Sequence, residues 1–347
     1  MTHLSQWRGV VKAIGVLWLV FSCSGTGNAQ AFQNAGFAGA QFLKIGVGAR
    51  AMGMGGAYAS LAGDATALAW NPAGIGPIST IAFSAQHNLW VEGMTHDFIG
   101  LVVPITDQIN LGFHTVFLST GDIEMTTIDQ PEGTGTFYDA SDVSTGVTAS
   151  FRLTSQLSFA TTVKYVQERI YEVTAGGLAV DAGAYYETGF RSLNLGFSLS
   201  NLGFDQTFTG QPLDVKYNPQ TPGEPTVSAE LQAMPFTLPL IFRASGSFDI
   251  LSMIGNAQED HQLLVAIDFY QQSDTPERLA LGCEYTWSRL VSFRGGYLFN
   301  ADELSWGAGA GVRLAVTGAF VHVDYAASSL GRFGLAHRIG LAMMFGE

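Results

Sequence analysis

An alternation of bulky apolar residues with small ones constrains the fold of this chain more than any other feature, and it recurs from residue 78 onward. Residues 193–200 read LNLGFSLS, and residues 306–314 read WGAGAGVRL. A period of two is that of a β-strand, whose side chains point to opposite faces in turn. In a soluble sheet the second face would be polar and charged, but here it is mostly Gly, Ala, Ser and Thr. We therefore predict that the bulky face meets lipid and that the small face lines an enclosed lumen.

About fourteen such segments follow one another, an even number as closed bacterial barrels require. Tight turns such as Pro104–Gln108 alternate with other connections, of which Ser119–Asp142 and Asn201–Pro235 are long. This pattern is typical of outer-membrane barrels, whose short turns face the periplasm. Asp249–Gln262 is long although it falls on the short side, so either a strand boundary is misplaced or the connection holds a small helix. The predicted strands centre near residues 84, 99, 114, 147, 161, 183, 197, 242, 266, 282, 294, 309, 321 and 341.

The beginning of the chain predicts export. Arg8 and Lys12 precede the apolar stretch 13–21, and small residues follow, so residues 1–31 are predicted to be a signal peptide cleaved after Ala29 or Ala31. A lipoprotein signal ending at Cys23 is the alternative. Residues 32–78 are rich in Gly and Ala and match no strand period, which favours a plug, and residues 79–347 form the predicted barrel.

Charge and motifs exclude several function classes. The formal net charge is −13, whereas a nucleic-acid surface needs to be basic. None of the common sequence motifs of hydrolases, metalloproteases or nucleotide-binding proteins occurs, so we predict no enzymatic activity and no cofactor or metal site. After the first 22 residues no apolar run approaches the roughly 20 residues of a membrane helix.

Charged residues on the predicted inner face have mixed signs. The favoured interpretation is a network of ion pairs that holds strands and plug together, and the alternative is the lining of a conduit. On the lipid face an Arg or Lys at mid-membrane would cost about 2–4 kcal/mol, which helps to decide which face is which. The predicted lumen charges are Lys164, Asp181, Glu187, Arg243, Asp268, Glu284, Arg294, Arg313, Asp324 and Arg338.

Two connections carry candidate binding features. Residues 121–142 contain six acidic residues, and we favour a solvated loop over a calcium site, although calcium takes oxygen ligands of this kind. Residues 201–235 contain five prolines, which stiffen a chain, so this loop is a candidate lid or partner-binding arm.

The stretch before the barrel resembles a known family. FLKIGVGARAMGMGGAY (42–58) and GDATALAWNPAGI (63–75) are similar to the PorV/PorQ family of outer-membrane proteins linked to type IX secretion. The wider FadL superfamily shares a fourteen-stranded barrel, an N-terminal plug and an Asn-Pro-Ala motif, here Asn71-Pro72-Ala73. The resemblance implies that C-terminal domains of secreted cargo and other type IX components are partners.

The residues of the predicted plug motif have physical roles of their own. The glycines allow close approach to a wall and positive φ. Arg50 and Asp64 are the plug charges best placed to pair with lumen residues, and Asn71 with Pro72 suits a rigid turn. The plug motif comprises Gly46, Gly48, Arg50, Gly53, Gly55, Gly56, Asp64, Asn71, Pro72 and Ala73.

The function expected on these grounds is a non-enzymatic barrel of the PorV/PorQ type in the outer membrane of a Gram-negative cell. It would act in type IX secretion or in surface attachment by binding the C-terminal domains of exported proteins. The first alternative is a FadL-like channel for hydrophobic small molecules, and the second is a soluble secreted β-protein. Outer-membrane lipid is an expected partner, and nucleic acid is not.

Overall fold

The computed structural model describes residues 36, 38–217, 227–255, 260–301 and 303–346. The predicted signal peptide and the start of the predicted plug, apart from Gly36, lie outside these residues. Residues 218–226 of the proline-rich loop lie outside them as well.

Fourteen strands form one closed antiparallel barrel, which confirms the predicted fold class and strand count. Each strand pairs with its sequence neighbours, except that β7 pairs with β10 across a separate hairpin, β8–β9. Pairing of β1 with β16, from Ile81 opposite Phe345 to Leu89 opposite His337, closes the ring. The strands are β1 (Ile81–Leu89), β2 (Thr95–Pro104), β3 (Ile109–Glu124), β4 (Phe137–Arg152), β5 (Leu157–Ile170), β6 (Val173–Glu187), β7 (Asn194–Gly203), β8 (Asp214–Tyr217), β9 (Val227–Glu230), β10 (Ile241–Asp249), β11 (His261–Gln272), β12 (Thr275–Trp287), β13 (Val291–Phe299), β14 (Trp306–Val316), β15 (Ala319–Ser329) and β16 (Leu335–Phe345).

The two faces of the wall differ as the alternation predicts. On β5, Phe159 and Val163 are exposed on the outside, whereas Thr162 and Lys164 are buried on the inside. Bulky apolar side chains are likewise exposed on the other barrel strands, as expected for a surface that meets lipid. None of the helices in the described residues has the length and apolarity to cross a bilayer.

The connections at the two ends of the barrel differ in length. Tight turns such as 105–108, 153–156 and 317–318 lie at one end, which we call the turn end. The other, the outer end, holds the long connections, but β3 and β4 extend so far that the predicted loop Ser119–Asp142 is reduced to residues 125–136. The connection 249–262 at the turn end contains a short helix, Ile250–Met253, and this agrees with one of the two alternatives left open.

Residues 38–78, which we call the inner segment, lie against the inner face of the wall. At the outer end Ala40 donates its N–H to Glu168 at 2.9 Å. At the turn end the Asn110 amide donates to the carbonyls of Ile75 and Ile78. The segment therefore runs through the barrel from one end to the other. It contains the short helices Ala49–Gly53 and Ala67–Trp70 and the 3-10 turns Gln41–Lys44 and Pro72–Ile75; further 3-10 turns are Val91–Gly93, Gln211–Leu213 and Gly331–Phe333.

Candidate functional site

Glycines in the wall leave room for the main chain of the inner segment. A Cβ at Gly296 would lie 2.0 Å from the carbonyl carbon of Met54, and a Cβ at Gly307 would lie 2.0 Å from the Met52 oxygen. Non-bonded heavy atoms do not approach this closely, so any other residue at these two positions would displace the segment. The small inner face of the strands thus results from close packing against the inner segment.

Asp268 on β11 holds the middle of the inner segment. Its carboxylate accepts the backbone N–H groups of Tyr58 at 3.0 Å and Ala59 at 2.9 Å, and it also accepts the Ser245 hydroxyl. Ser245 in turn accepts the N–H of Ser60 at 3.0 Å. Three consecutive main-chain donors are therefore satisfied by side chains of the wall, as buried N–H groups require.

Arg50 connects the inner segment to a chain of charges on the wall. It donates to both oxygens of Glu284, from Nε at 2.9 Å and from Nη2 at 2.6 Å. Arg294 also donates to Glu284, and it reaches Asp324 at 2.6 Å. Asp64 lies 3.4 Å from Arg50 Nη1, so charges of alternating sign run from the segment across β12, β13 and β15. The structure thus brings together three of the predicted lumen charges and both predicted plug charges.

Tyr58 completes this cluster by donating its hydroxyl to Asp64. The same hydroxyl accepts from Arg50 Nη1 at 3.4 Å, so Tyr58 joins the two predicted plug charges.

Asn71 fixes the second turn of the segment. Its amide donates to Ala59 O at 2.8 Å and to Ala184 O of β6 at 3.0 Å, and its Oδ1 accepts the N–H of Ala73 at 3.1 Å. Pro72 begins the 3-10 turn, where its missing N–H costs nothing. The Asn-Pro-Ala motif therefore joins two parts of the segment to the wall.

The glycines of the predicted plug motif fall into two groups. Gly48, Gly55 and Gly56 adopt positive φ of 89°, 66° and 83°. Gly46 and Gly53 do not. A Cβ at Gly53 would lie 3.3 Å from Arg294 Cβ and 3.4 Å from Gly309 Cα in the wall, whereas a Cβ at Gly46 would meet the Met52 sulfur within the segment itself. Both expected uses of glycine, positive φ and close approach, thus occur in this segment.

The remaining lumen charges lie apart from the Arg50 cluster. Lys164 pairs with Asp181 at 2.8 Å on neighbouring strands. The Arg243 guanidinium lies between the rings of Trp70 and Tyr270, at 4.7 and 4.5 Å from their centroids. The others lie elsewhere on the barrel strands: Arg313 lies over the Phe320 ring, Arg338 contacts Ser328, and Glu187 ends β6.

At the outer end the first turn of the inner segment is attached by polar contacts. Lys44 pairs with Asp274, in the connection between β11 and β12, at 3.0 Å. The same carboxylate accepts from Gln41 at 2.9 Å, and Gly39 donates to Thr237 O at 3.0 Å. These few bonds contrast with the many that hold the middle of the segment.

A half-open pocket of about 440 Å³ lies beside this turn. It forms where direct pairing of β7 with β10 ends, at Ser200 opposite Ile241. Beyond that point Asn201, with a φ of 66°, bridges the seam by donating to Pro239 O at 2.8 Å. Most of the lining is apolar; it comprises Ala38, Asn201, Leu202, Gly203, Thr237, Leu238, Leu240, Ser273 and Asp274.

A smaller cavity of about 50 Å³ lies deeper in the barrel. It is bounded by the inner segment from Phe42 to Val47 and by polar wall residues such as His114 and Lys164. Asn201 lines both this inner cavity and the outer pocket, so the two spaces are neighbours. Lys44 lines the inner cavity and pairs with Asp274, which lines the outer pocket, so this ion pair lies between them.

Sequence reasoning did not find the outer pocket. Its walls come from the start of the inner segment, the end of β7, the residues before β10 and the turn after β11. The predicted plug and the proline-rich loop include Ala38, Asn201, Leu202 and Gly203 of its lining, but nothing in the sequence indicated that they meet. Among the described residues, which include the whole acidic stretch 121–142, no group of three or more His, Cys, Asp or Glu side chains could hold a metal ion.

The fold is similar to those of several solved outer-membrane proteins. The toluene transporter TodX of Pseudomonas putida has a TM-score of 0.55 at 12% identity, over 86% of this chain and 97% of that chain. The toluene transporter TbuX of Ralstonia pickettii has a TM-score of 0.54 at 11% identity, over 87% and 99%. A FadL homologue of Pseudomonas aeruginosa has a TM-score of 0.54 at 11% identity, over 86% and 98%. No protein-family model and no curated protein sequence matches the chain.

These likenesses support the resemblance to the FadL superfamily noted in the sequence, and not the resemblance to the PorV/PorQ family. The similar solved structures are FadL-like barrels, and nothing among them points to the PorV/PorQ family. At 11–12% identity they establish the fold and no more. The chain is therefore an outer-membrane β-barrel of fourteen strands with the FadL-like fold.

Proposed function

We propose that this barrel is a channel that admits small apolar molecules through the outer membrane, with the outer pocket as the first binding site. The observation that supports this most is the pocket itself, about 440 Å³ with a mostly apolar lining, since pockets of that size and character suit small hydrophobic ligands. The structures of similar fold include two toluene transporters, which agrees with this class of ligand.

Passage beyond the pocket requires the first turn of the inner segment to move. The inner cavity, about 50 Å³, is too small for an aromatic molecule while Lys44 and Asp274 stay paired. That turn is attached by a few exchangeable polar contacts, whereas the middle of the segment is bound through Asp268 and the Arg50 cluster. The first turn is thus the part suited to act as a gate, and the rest as a fixed plug.

Uptake of radiolabelled toluene by whole cells tests the proposal. Leu238 is 4% exposed and lines the pocket, so Leu238→Arg fills the apolar space with a charge. The same substitution at Leu231, which is 55% exposed beyond the β8–β9 hairpin, is the matched control. We expect the initial rate to exceed that of cells with an empty vector and to fall by about tenfold in Leu238→Arg alone.

Two results would contradict the channel. One is an uptake rate no higher than that of the empty vector, and the other is equal uptake by Leu238→Arg and the wild type. Folded protein in the outer membrane is quantified for each variant by heat-dependent mobility on a detergent gel, so that loss of uptake is not confused with loss of barrel.

A role in type IX secretion or surface attachment rests on the resemblance of residues 42–75 alone. Binding of cargo C-terminal domains by the outer loops stays a prediction, and the solved structures of similar fold give it no support. We therefore prefer the channel.

A further inference from the structure

Four buried polar side chains lie close together near the outer end, away from both cavities. His96 on β2 is the register partner of Asn88 on β1, and Asn88 is the partner of Arg338 on β16. Arg338 donates from Nη1 to the hydroxyl of Ser328 on β15 at 2.9 Å. All four residues are 3% exposed or less, while the neighbouring Leu89 and Ile339 face outward.

Most of the hydrogen-bonding groups in this cluster have no partner within the protein. Nε and Nη2 of Arg338, Nε2 of His96 and both amide atoms of Asn88 are buried and unbonded. No carboxylate of the described residues forms an ion pair with Arg338, although Arg50 and Arg294 each have one or more. A guanidinium buried without a counter-charge is costly, and such groups in proteins are paired or bound to a ligand.

The two free atoms of Arg338 are those that bind an oxyanion side-on. In this same chain Arg50 uses Nε and Nη2 to hold the two oxygens of Glu284, at 2.9 and 2.6 Å. Such a fork matches carboxylate and phosphate geometry. The Arg338 guanidinium carbon lies over the Trp90 ring, 5.4 Å from the ring centroid, and Nε and Nη2 have no hydrogen-bond partner.

His96 and Asn88 add to the same arrangement. The register places Asn88 on the strand next to Arg338 and His96 one strand further along the wall. Each has an unbonded nitrogen that can donate to an oxyanion. The unbonded Oδ1 of Asn88 can accept from a protonated oxygen such as that of hydrogen phosphate.

We propose that Arg338, with His96 and Asn88, binds a small oxyanion, a carboxylate or a phosphate, between β1, β2, β15 and β16 at the outer end. The proposal does not depend on passage of apolar molecules, because none of these residues lines the outer pocket or the inner cavity.

Thermal unfolding of the purified barrel in detergent tests this site, with acetate and phosphate as probes. Each is titrated against chloride at constant ionic strength, and unfolding is followed by heat-dependent gel mobility. We expect the wild-type Tm to rise by about 5 °C once a probe exceeds its Kd by about a hundredfold. Arg338→Met should show no such rise. Arg332→Met, at a side chain 79% exposed in the β15–β16 connection, should respond like the wild type.

A second variant covers the case in which Arg338→Met does not assemble. Arg338→Lys keeps the charge but loses the fork, and the concentration of probe that gives half the Tm shift should rise by about tenfold or more. A response to acetate, to phosphate or to both supports the site and tells which anion it takes. A wild-type Tm equal in all three salts would overturn it, as would an undiminished response in Arg338→Met or Arg338→Lys.

Discussion

Single side chains of the wall bind several groups of the inner segment at once. Asp268 is completely buried and accepts from two backbone N–H groups and one hydroxyl. A carboxylate can accept several hydrogen bonds at once, so it suits a place where a main chain without secondary structure passes a sheet. Removing it would leave buried donors without partners.

Asp268→Ala should destabilise the barrel, because the N–H groups of Tyr58 and Ala59 lose their acceptor. Each unpaired buried group costs about 1–3 kcal/mol. The midpoint of urea unfolding, read by gel mobility, should fall clearly, and protease should cut within the inner segment. Asp268→Asn keeps one acceptor oxygen, so its unfolding midpoint should lie between those of the wild type and Asp268→Ala. Asp97→Ala, at an outward and partly exposed carboxylate, is the control, and equal midpoints for both alanine variants would contradict this role.

Sequence pattern could place Asp268 on the inner face but could not name its partners. The alternation on β11 fixes which way its side chain points. The donors at Tyr58 and Ala59 lie about two hundred residues away in sequence and in a stretch without a period. The cluster of Arg338, His96 and Asn88 was missed for a related reason, because it depends on the register of strands from opposite ends of the chain.

At the scale of elements, the strands and the inner segment fit each other through main-chain contact. β13 offers a direct comparison, because two adjacent glycines point to opposite faces. A Cβ at Gly296 would collide with Met54, whereas a Cβ at Gly295 would meet nothing within 4 Å.

Gly296→Ala should therefore destabilise the folded barrel, and Gly295→Ala should not. Forcing a methyl group into a packed interior costs about 1–3 kcal/mol, and here the neighbour is backbone that cannot rotate away. The folded fraction of each variant at increasing urea concentration, measured on unheated gels, gives the comparison. If the two variants unfold together, the wall does not pack on the segment in the way described.

The alternation predicted every barrel strand but not every strand end. β3 and β4 stay paired past Ser119, as far as Glu124 opposite Phe137. In this stretch most residues are polar and none is buried on either strand, so the alternation that comes from lipid contact on one face and burial on the other is absent. Strand ends set by hydrogen bonding alone leave no such signal in the sequence.

At the scale of the whole molecule, the unequal ends of the barrel predict its orientation in the membrane. Ile128 in the β3–β4 connection is fully exposed at the outer end, and Leu153 is 61% exposed in a tight turn at the other. Outer-membrane barrels place short turns in the periplasm and long loops outside the cell.

Cysteine labelling measures this orientation. In a Cys283→Ser background, Ile128→Cys should react in intact cells with a maleimide that cannot cross membranes. Leu153→Cys should react only after the outer membrane has been permeabilised. Labelling of Leu153→Cys in intact cells would show that the barrel is inserted the other way or not inserted at all.

The passage of the inner segment through a closed ring has a consequence for biogenesis. Arg50 binds Glu284, which lies 234 residues later in the chain. β1 directly follows the inner segment, but the ring closes only when β1 pairs with β16, the last strand. Contacts between such distant parts form slowly and late. The first part of the polypeptide to leave the translocation machinery is thus among the last to find its native surroundings. Until then its apolar side chains stay exposed to other chains, which favours aggregation.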